Sequence, residues 1–292
     1  MAVTADCHMH TLFSADSEEL MENQIESALS KGIHTICFTD HMDLDSPFPN
    51  CPSGDVFIVD YDAYRKKYLE MKALYHGKAE LLFGIEIGLT CLMKDEVNTW
   101  LDAHTDFDFV IGSTHSVDGL DPYFDSYYAQ YPGRGGYLRY FETVLENVTS
   151  FDNYDSCGHL DYALRYGPYP ANANTPEQTA GWYYREYREI IDEILRVLIR
   201  RDKALEINTS ALRKGFPETN PGEDILRRYH ELGGRLITIG ADAHFAAAVG
   251  YGFDQAQALL LSCGFESYAV YIGRKPQLRP LRGLTELPLP RH

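Results

Sequence analysis

Val3-Thr4-Ala5-Asp6-Cys7-His8-Met9-His10 is a largely apolar run that ends in two histidines. Read as an extended strand, it puts His8 and His10 on the same side, because side chains alternate with a period of two. The same arrangement recurs along the chain. Thr35-Ile36-Cys37-Phe38 leads to His41, and Leu81-Leu82-Phe83-Gly84-Ile85 leads to Glu86. Phe107-Asp108-Phe109-Val110-Ile111 leads to His115, residues 154–158 to His159, and residues 235–239 to Asp242 and His244. Residues 204–207 supply one more strand, the sixth of seven in chain order. Helical patterns fall between the strands: a helix capped by Ser17 and stopped by Gly32, then residues 60–76, 94–104, a helix to about 150, 179–201, 221–232 and 246–263. This βα alternation predicts an α/β protein with a parallel sheet. Closure into a (β/α) barrel is favoured, because all strand C-terminal ends then open onto one face. Ligand candidates from six strands would meet there, although they lie over two hundred residues apart.

The chain has 292 residues, 45% of them hydrophobic, which suits one barrel domain of roughly 250 residues or more. Residues 1–292 read as a single catalytic domain, with no linker or repeat. Lys and Arg total 26 against 43 Asp and Glu, a net charge of −17. No basic stripe is present, so nucleic acid is a poor candidate partner. Residues 1–6 lack the features of a signal peptide, and no apolar run reaches membrane-spanning length. Six scattered cysteines without a CxxC pair point to buried thiols and a reducing cytoplasm. The loop at 42–59 is rich in Pro and Asp and long enough to be functional. The stretch at 118–136 is an excursion rich in Tyr and Gly, and the Pro-rich tail from Pro276 reads as irregular wrapping.

A lone histidine after a strand is more often a hydrogen-bonded core residue than a ligand. Six histidines, Glu86 and Asp242 at the same kind of position point instead to metal. Imidazole and carboxylate together suit Zn, Mn or Fe, and there are more donors than one ion can use. Asp16 adds a further carboxylate. Asp6, Asp40 and Asp161 are candidates to orient ligating imidazoles. Arg165 and Arg213, after the fifth and sixth strands, are candidates to bind phosphate, since guanidinium grips phosphate oxygens in a two-pronged way. No GxSxG elbow or phosphate-cradling GxxxxGK[ST] loop is present. Gly133-Arg134-Gly135-Gly136 does not follow a strand and reads as a loop tip.

Taken in order, His8-Met9-His10, Thr39-Asp40-His41, Gly84-Ile85-Glu86, Ser113-Thr114-His115, Gly158-His159-Leu160-Asp161 and Asp242-Ala243-His244 resemble the polymerase and histidinol phosphatase (PHP) family. Asp40-His41-Met42-Asp43, Glu206-Ile207-Asn208-Thr209-Ser210 and Leu212-Arg213-Lys214-Gly215 resemble its histidinol-phosphatase branch. The resemblance implies a distorted seven-stranded barrel and a trinuclear metal site. One ion would take His8, His10, Glu86 and Asp242. A second would take Glu86, His115 and His159, with Glu86 bridging. A third would take Asp16, His41 and His244. The implied reaction is attack by a metal-bridging hydroxide on a phosphate monoester, L-histidinol phosphate, in histidine biosynthesis. Asp242, His244 or a bound water would protonate the leaving alcohol. Asp43, Asp45, Asp118, Asp121, Tyr123 and Phe124 are candidates to meet the substrate's ammonium and imidazole. The alternatives are another small phosphate ester or nucleotide as substrate, or a metal-binding scaffold without catalysis.

Overall fold

The structure is a computed structural model that describes residues 3–46, 54, 56–167 and 181–281. Short runs in which Ile, Leu and Phe predominate, buried on both faces, form its parallel strands. They are β1 (Ala5–Asp6), β2 (Thr35–Phe38), β3 (His41–Met42), β4 (Glu80–Gly88), β5 (Phe109–Ser113), β6 (Ser156–Cys157), β7 (Ala204–Asn208) and β8 (Ile237–Gly240). Pairing runs β1-β2-β4-β5-β6-β7-β8, with β3 also on β4. β2 and β3 are two pieces of one stave, since Thr35 lies opposite Glu80 and His41 opposite Glu86. Between them, Asp40 turns inward and accepts from the Thr11 amide (2.6 Å), the Thr11 hydroxyl and the Ser14 hydroxyl. The outer strands meet: Cys7 N donates to Ile239 O (3.0 Å), Asp242 N to His8 O (2.8 Å) and His10 N to Ala243 O (2.9 Å). Seven staves thus form a nearly closed parallel barrel, as expected.

Helices cover the outside, each through an apolar stripe. Arg188–Arg200 buries Ile191, Ile194, Leu195, Val197 and Leu198. Among the described residues no helix is long and apolar enough to cross a membrane.

Several local expectations are corrected. The first helix is Met21–Ser30, without a side-chain cap. Ser17 stays outside it because its hydroxyl bridges the His10 and His244 carbonyls instead (3.2 and 3.0 Å). The expected helix at 179–201 is two, Trp182–Glu186 and Arg188–Arg200, broken at Tyr187; its first two residues lie outside the described residues. The excursion at 118–136 contains a helix, Asp125–Gln130, held by buried Tyr127 and Tyr128. The helix expected at 246–263 is Phe253–Ser262, preceded by a single tight turn at Ala246–Ala248. Glu86 lies within β4 rather than after it, because β4 keeps a partner on each side up to Ile87.

The tail is not irregular up to Pro280. β9 (Ser267–Ile272) and β10 (Lys275–Pro280) form an antiparallel ribbon. A two-stranded ribbon leaves half its amides unpaired, so proline is tolerated there. Arg279 reaches Thr35 and Glu80 (2.7 Å each), and Arg274 reaches Asp155 (2.6 Å). These partners start β2 and β4 or directly precede β6, so the ribbon closes the N-terminal end of the barrel. Residues 282–292, Cys51 and most of the loop at 47–55 lie outside the described residues.

Candidate active site

At the C-terminal end of the barrel the strand-end side chains meet in a cavity of about 420 Å³. His8 and His10 leave β1 on the same side, and their Nε2 atoms are 3.0 Å apart. Both are fully buried, as is Glu86 from β4. Glu86 faces two ways. Its Oε2 is 3.3 Å from His8 Nε2, 3.4 Å from His10 Nε2 and 3.1 Å from His41 Nδ1. Its Oε1 is 2.9 Å from His159 Nε2 and 3.3 Å from His115 Nε2, and accepts from Ser113 (2.6 Å). Asp242 Oδ1 lies 3.5 Å from both His10 Nε2 and His244 Nδ1. At the rim, the exposed Asp16 is 2.8 Å from His244 Nε2 and 3.6 Å from His41 Nε2.

These atoms fall into four groups that could each hold an ion: His10, Asp16, His41 and His244; His8, Glu86 and His159; His8, His10 and Asp242; His41, Glu86 and His115. The donors fit divalent metal. Arms of about 2.1 Å to a tetrahedral ion leave its ligands about 3.4 Å apart, which is the spacing around Glu86 Oε2. That oxygen is buried without a directed hydrogen bond, and so are His41 Nδ1 and His159 Nδ1.

Charge tells the same story. Burial alone would raise the Glu86 carboxyl, but His8, His115 and His41 hold it well below the usual range. Burial opposes Asp242 in the same way, and His8, His10 and His244 overcome it. Burial lowers His8 and His115, yet the facing carboxylates lift both well above the ordinary imidazole value. His41 is raised to about 9, against burial, by Glu86 and Asp16. His10 is pushed down to about 3, by burial and by its neighbours His41 and His244. The carboxylates remain anionic and demand nearby positive charge, which divalent ions would meet.

The arginines differ from each other. Arg165 is buried, donating to Asn220 Oδ1 (2.6 Å), Asp242 Oδ2 (3.2 Å) and Asn208 Oδ1 (2.9 Å). Arg213 is half-buried, its guanidinium 4.9 Å from the centre of the Phe245 ring. Both line the cavity. So do Asp43, Asp121, Tyr123 and Phe124, whereas Asp45 and Asp118 do not. Asp118 is turned away, paired with Arg139 (2.8 Å) and Tyr131 (2.7 Å).

The imidazoles are oriented by groups other than those expected. Asp6 accepts from backbone amides of His8, Ala241 and Gly250, and Asp161 from Asn220. Both sit where main chain or amide, not a ring nitrogen, is in reach. Asp40 acts at one remove, through Ser14, whose hydroxyl is 3.2 Å from His10 Nδ1. The direct partners are Glu206, 2.6 Å from His8 Nδ1, and Asp43, 3.0 Å from His115 Nδ1. Glu206 had a signal in the sequence: it alternates with Leu205 and Ile207 on β7, so it points inward with Asn208. Tyr162, Tyr166 and Lys214 also line the cavity, without a comparable signal.

Gly88 makes room for Asp43, since a Cβ there would land on the Asp43 carboxylate. Gly88→Ala is expected to push Asp43 off His115. Metal affinity should fall roughly 10- to 100-fold, the usual cost of losing a partner that orients a ligand. Titration of the metal-free variant against a chelator checks this; unchanged affinity would show that Asp43 does not govern His115.

A family model for the PHP domain matches residues 6–210. A histidinol-phosphatase of Lactococcus lactis is 35% identical over 272 residues, covering 92% of this chain and 95% of the relative. A protein of Clostridium acetobutylicum named "Probable histidinol-phosphatase" is 34% identical, covering 89% and 94%. The crystal structure of the Lactococcus lactis histidinol phosphate phosphatase, complexed with Zn, L-histidinol and phosphate, superposes with a TM-score of 0.83 at 34% identity, covering 94% of this chain and 99% of that one. With its barrel, its donor cluster and these relatives, the chain belongs to the PHP domain family.

Proposed function

We propose that this chain is a metal-dependent phosphomonoesterase that hydrolyses L-histidinol phosphate to L-histidinol and phosphate, a step of histidine biosynthesis. One observation carries the reading. A single cavity joins the donor cluster to Arg165 and Arg213, and also to Asp121, Tyr123, Phe124, Tyr162 and Tyr166. The likeness to the Lactococcus lactis enzyme supports the substrate. In this reading residues 1–292 work as one catalytic domain in the cytoplasm, and the five cysteines among the described residues, all free thiols, agree with a reducing compartment.

Three divalent ions would be held: by His8, His10, Glu86 and Asp242; by Glu86, His115 and His159; and by Asp16, His41 and His244. When bound, they supply an acidified water as nucleophile near neutral pH and positive charge for the phosphoryl oxygens. The protein does the rest. Arg165 commits three of its N–H groups to Asn220, Asp242 and Asn208, and two remain for phosphoryl oxygens. Arg213 approaches from the rim. Asp242 and His244, both on the cavity, handle the proton of the leaving alcohol. Asp121 faces the same space as five Phe and Tyr rings, a setting for an ammonium and an imidazole. Burial raises its carboxyl to about 6, against the lowering effect of the Tyr123 amide and His115, so a cationic substrate would favour its ionised form.

The test compares kcat/KM for histidinol phosphate with that for p-nitrophenyl phosphate. A preference of about 100-fold or more is expected from one charge contact and one ring contact. Chelation should abolish turnover, and Mn or Zn should restore it. Equal turnover of both esters would remove the histidinol assignment. Full activity in metal-free protein would remove the metal mechanism as well.

A further inference from the structure

We propose that Asn208 is a positioning residue that couples the metal-binding half of the cavity to its phosphate-binding half. The proposal rests on the reading of the site as a metal-dependent phosphatase, and extends it to a group outside the ligand set.

Asn208 ends β7 and is fully buried. Its main chain is pinned on one side, with Asn208 N donating to Asn220 O (2.8 Å) and Asn220 N to Asn208 O (2.9 Å). Its side chain has every polar site engaged. The Oδ1 atom accepts from Arg165 Nη2 (2.9 Å) and from the Ser210 amide (3.0 Å). The Ser210 hydroxyl is 2.8 Å from the same oxygen and 3.1 Å from Asp242 Oδ2. The Nδ2 atom donates to Asp242 Oδ2 (3.2 Å) and to Glu206 Oε2 (3.3 Å). Guanidinium and backbone N–H can only donate, and they meet Oδ1, while Nδ2 faces carboxylate oxygens, so one amide orientation matches these partners.

The partners are what make Asn208 a coupler. Glu206 sets the His8 ring, and its other oxygen accepts from the His159 amide (2.7 Å). Asp242 Oδ2 is held by Asn208 and Arg165, which leaves Oδ1 to face His10 and His244. Arg165 is the buried cation on the cavity wall. One amide therefore holds two carboxylates that shape the metal donors and the guanidinium that meets phosphate. The side chain of Asn220, by contrast, touches only the phosphate side: it accepts from Arg165 Nε and donates to Asp161 (2.8 Å).

The experiment uses zinc ions and orthophosphate as probes, so it does not depend on histidinol phosphate being the substrate. Zinc affinity is measured by chelator competition on metal-stripped full-length protein. Orthophosphate binding is measured at saturating zinc by calorimetry, with thermal unfolding as a check on folding. Asn208→Ala is expected to weaken zinc binding roughly 10- to 100-fold, and orthophosphate binding by about 10-fold through loss of a charge-assisted contact that orders Arg165. Asn220→Ala is expected to weaken orthophosphate alone. If Asn208→Ala does not fold, Asn208→Asp carries the test. It keeps the shape and the acceptor toward Arg165, but turns the donor facing Asp242 and Glu206 into a repelling oxygen, so zinc affinity must fall. A folded Asn208 variant with wild-type zinc and orthophosphate affinity overturns the coupling role, as does one that loses only one of the two where Asn208→Ala is folded. A wild-type protein that binds no orthophosphate overturns the phosphatase reading itself, which is a distinct result.

Discussion

Glu86→Ala is expected to lose at least one bound ion and roughly 10³- to 10⁵-fold in kcat/KM, the scale of a metal-supplied nucleophile and several kcal/mol of charge stabilisation. The reason is the two-sided placement of Glu86. One oxygen stands 3.1–3.4 Å from nitrogens of His8, His10 and His41, and the other 2.9–3.3 Å from those of His159 and His115. Its removal takes away the one carboxylate that these five imidazoles share. Against burial, His8 is raised by Glu206 and then Glu86, His115 by Asp43 and then Glu86, and His41 by Glu86 and then Asp16, so the variant also loses part of the field on those rings. Asp16→Ala is the control. Asp16 lies at the rim, exposed, and meets only His41 and His244, so its loss should be clearly the smaller. Metal analysis of both gel-filtered variants, beside their kcat/KM, decides the matter. A Glu86→Ala protein with the wild-type metal content would not have a bridging carboxylate at this position.

Arg165→Ala is expected to lower kcat/KM roughly 30- to 1000-fold, the range for a charged, fork-like contact to a phosphoryl group. The buried position adds a second effect. Without Arg165, Asp242 Oδ2 keeps only Asn208 and Ser210, and Asn220 Oδ1 loses its donor. Some loss of metal affinity is therefore expected alongside the kinetic loss. Arg165→Lys should rescue only part, because one ammonium cannot span Asn220, Asp242 and Asn208 at once. Arg213→Ala should affect kcat/KM without touching metal content, since Arg213 stacks on Phe245 and reaches only a carbonyl oxygen of Asp242 (3.5 Å). Wild-type kinetics in the Arg165→Ala protein would exclude it from the phosphate site.

The barrel was legible because two local patterns agree. Apolar runs with a histidine or carboxylate at their end mark the staves, and amphipathic stretches between them mark the outer helices. Elements were lost where short-range signals compete with tertiary partners. Ser17 reads as a cap but serves the carbonyls of His10 and His244. Pro276 and Pro280 read as irregular chain but lie in a ribbon that arginines tie to the starts of the strands.

The sequence by itself determined the class of fold, the face on which the chemistry sits, and the residue types gathered there. It could do so because strand periodicity and strand ends are local properties of the chain. Only the tertiary structure decided which partner each group meets. Glu86 faces two sets of imidazoles, Asp43 turns to His115 rather than outward, and Arg165 is sunk among Asn208, Asn220 and Asp242. Those pairings join residues up to 77 positions apart around Arg165 and 198 apart at His8 and Glu206. No local pattern encodes them; they follow from closing seven staves into a ring, which brings the buried polar groups of distant strands close enough that each must find a partner.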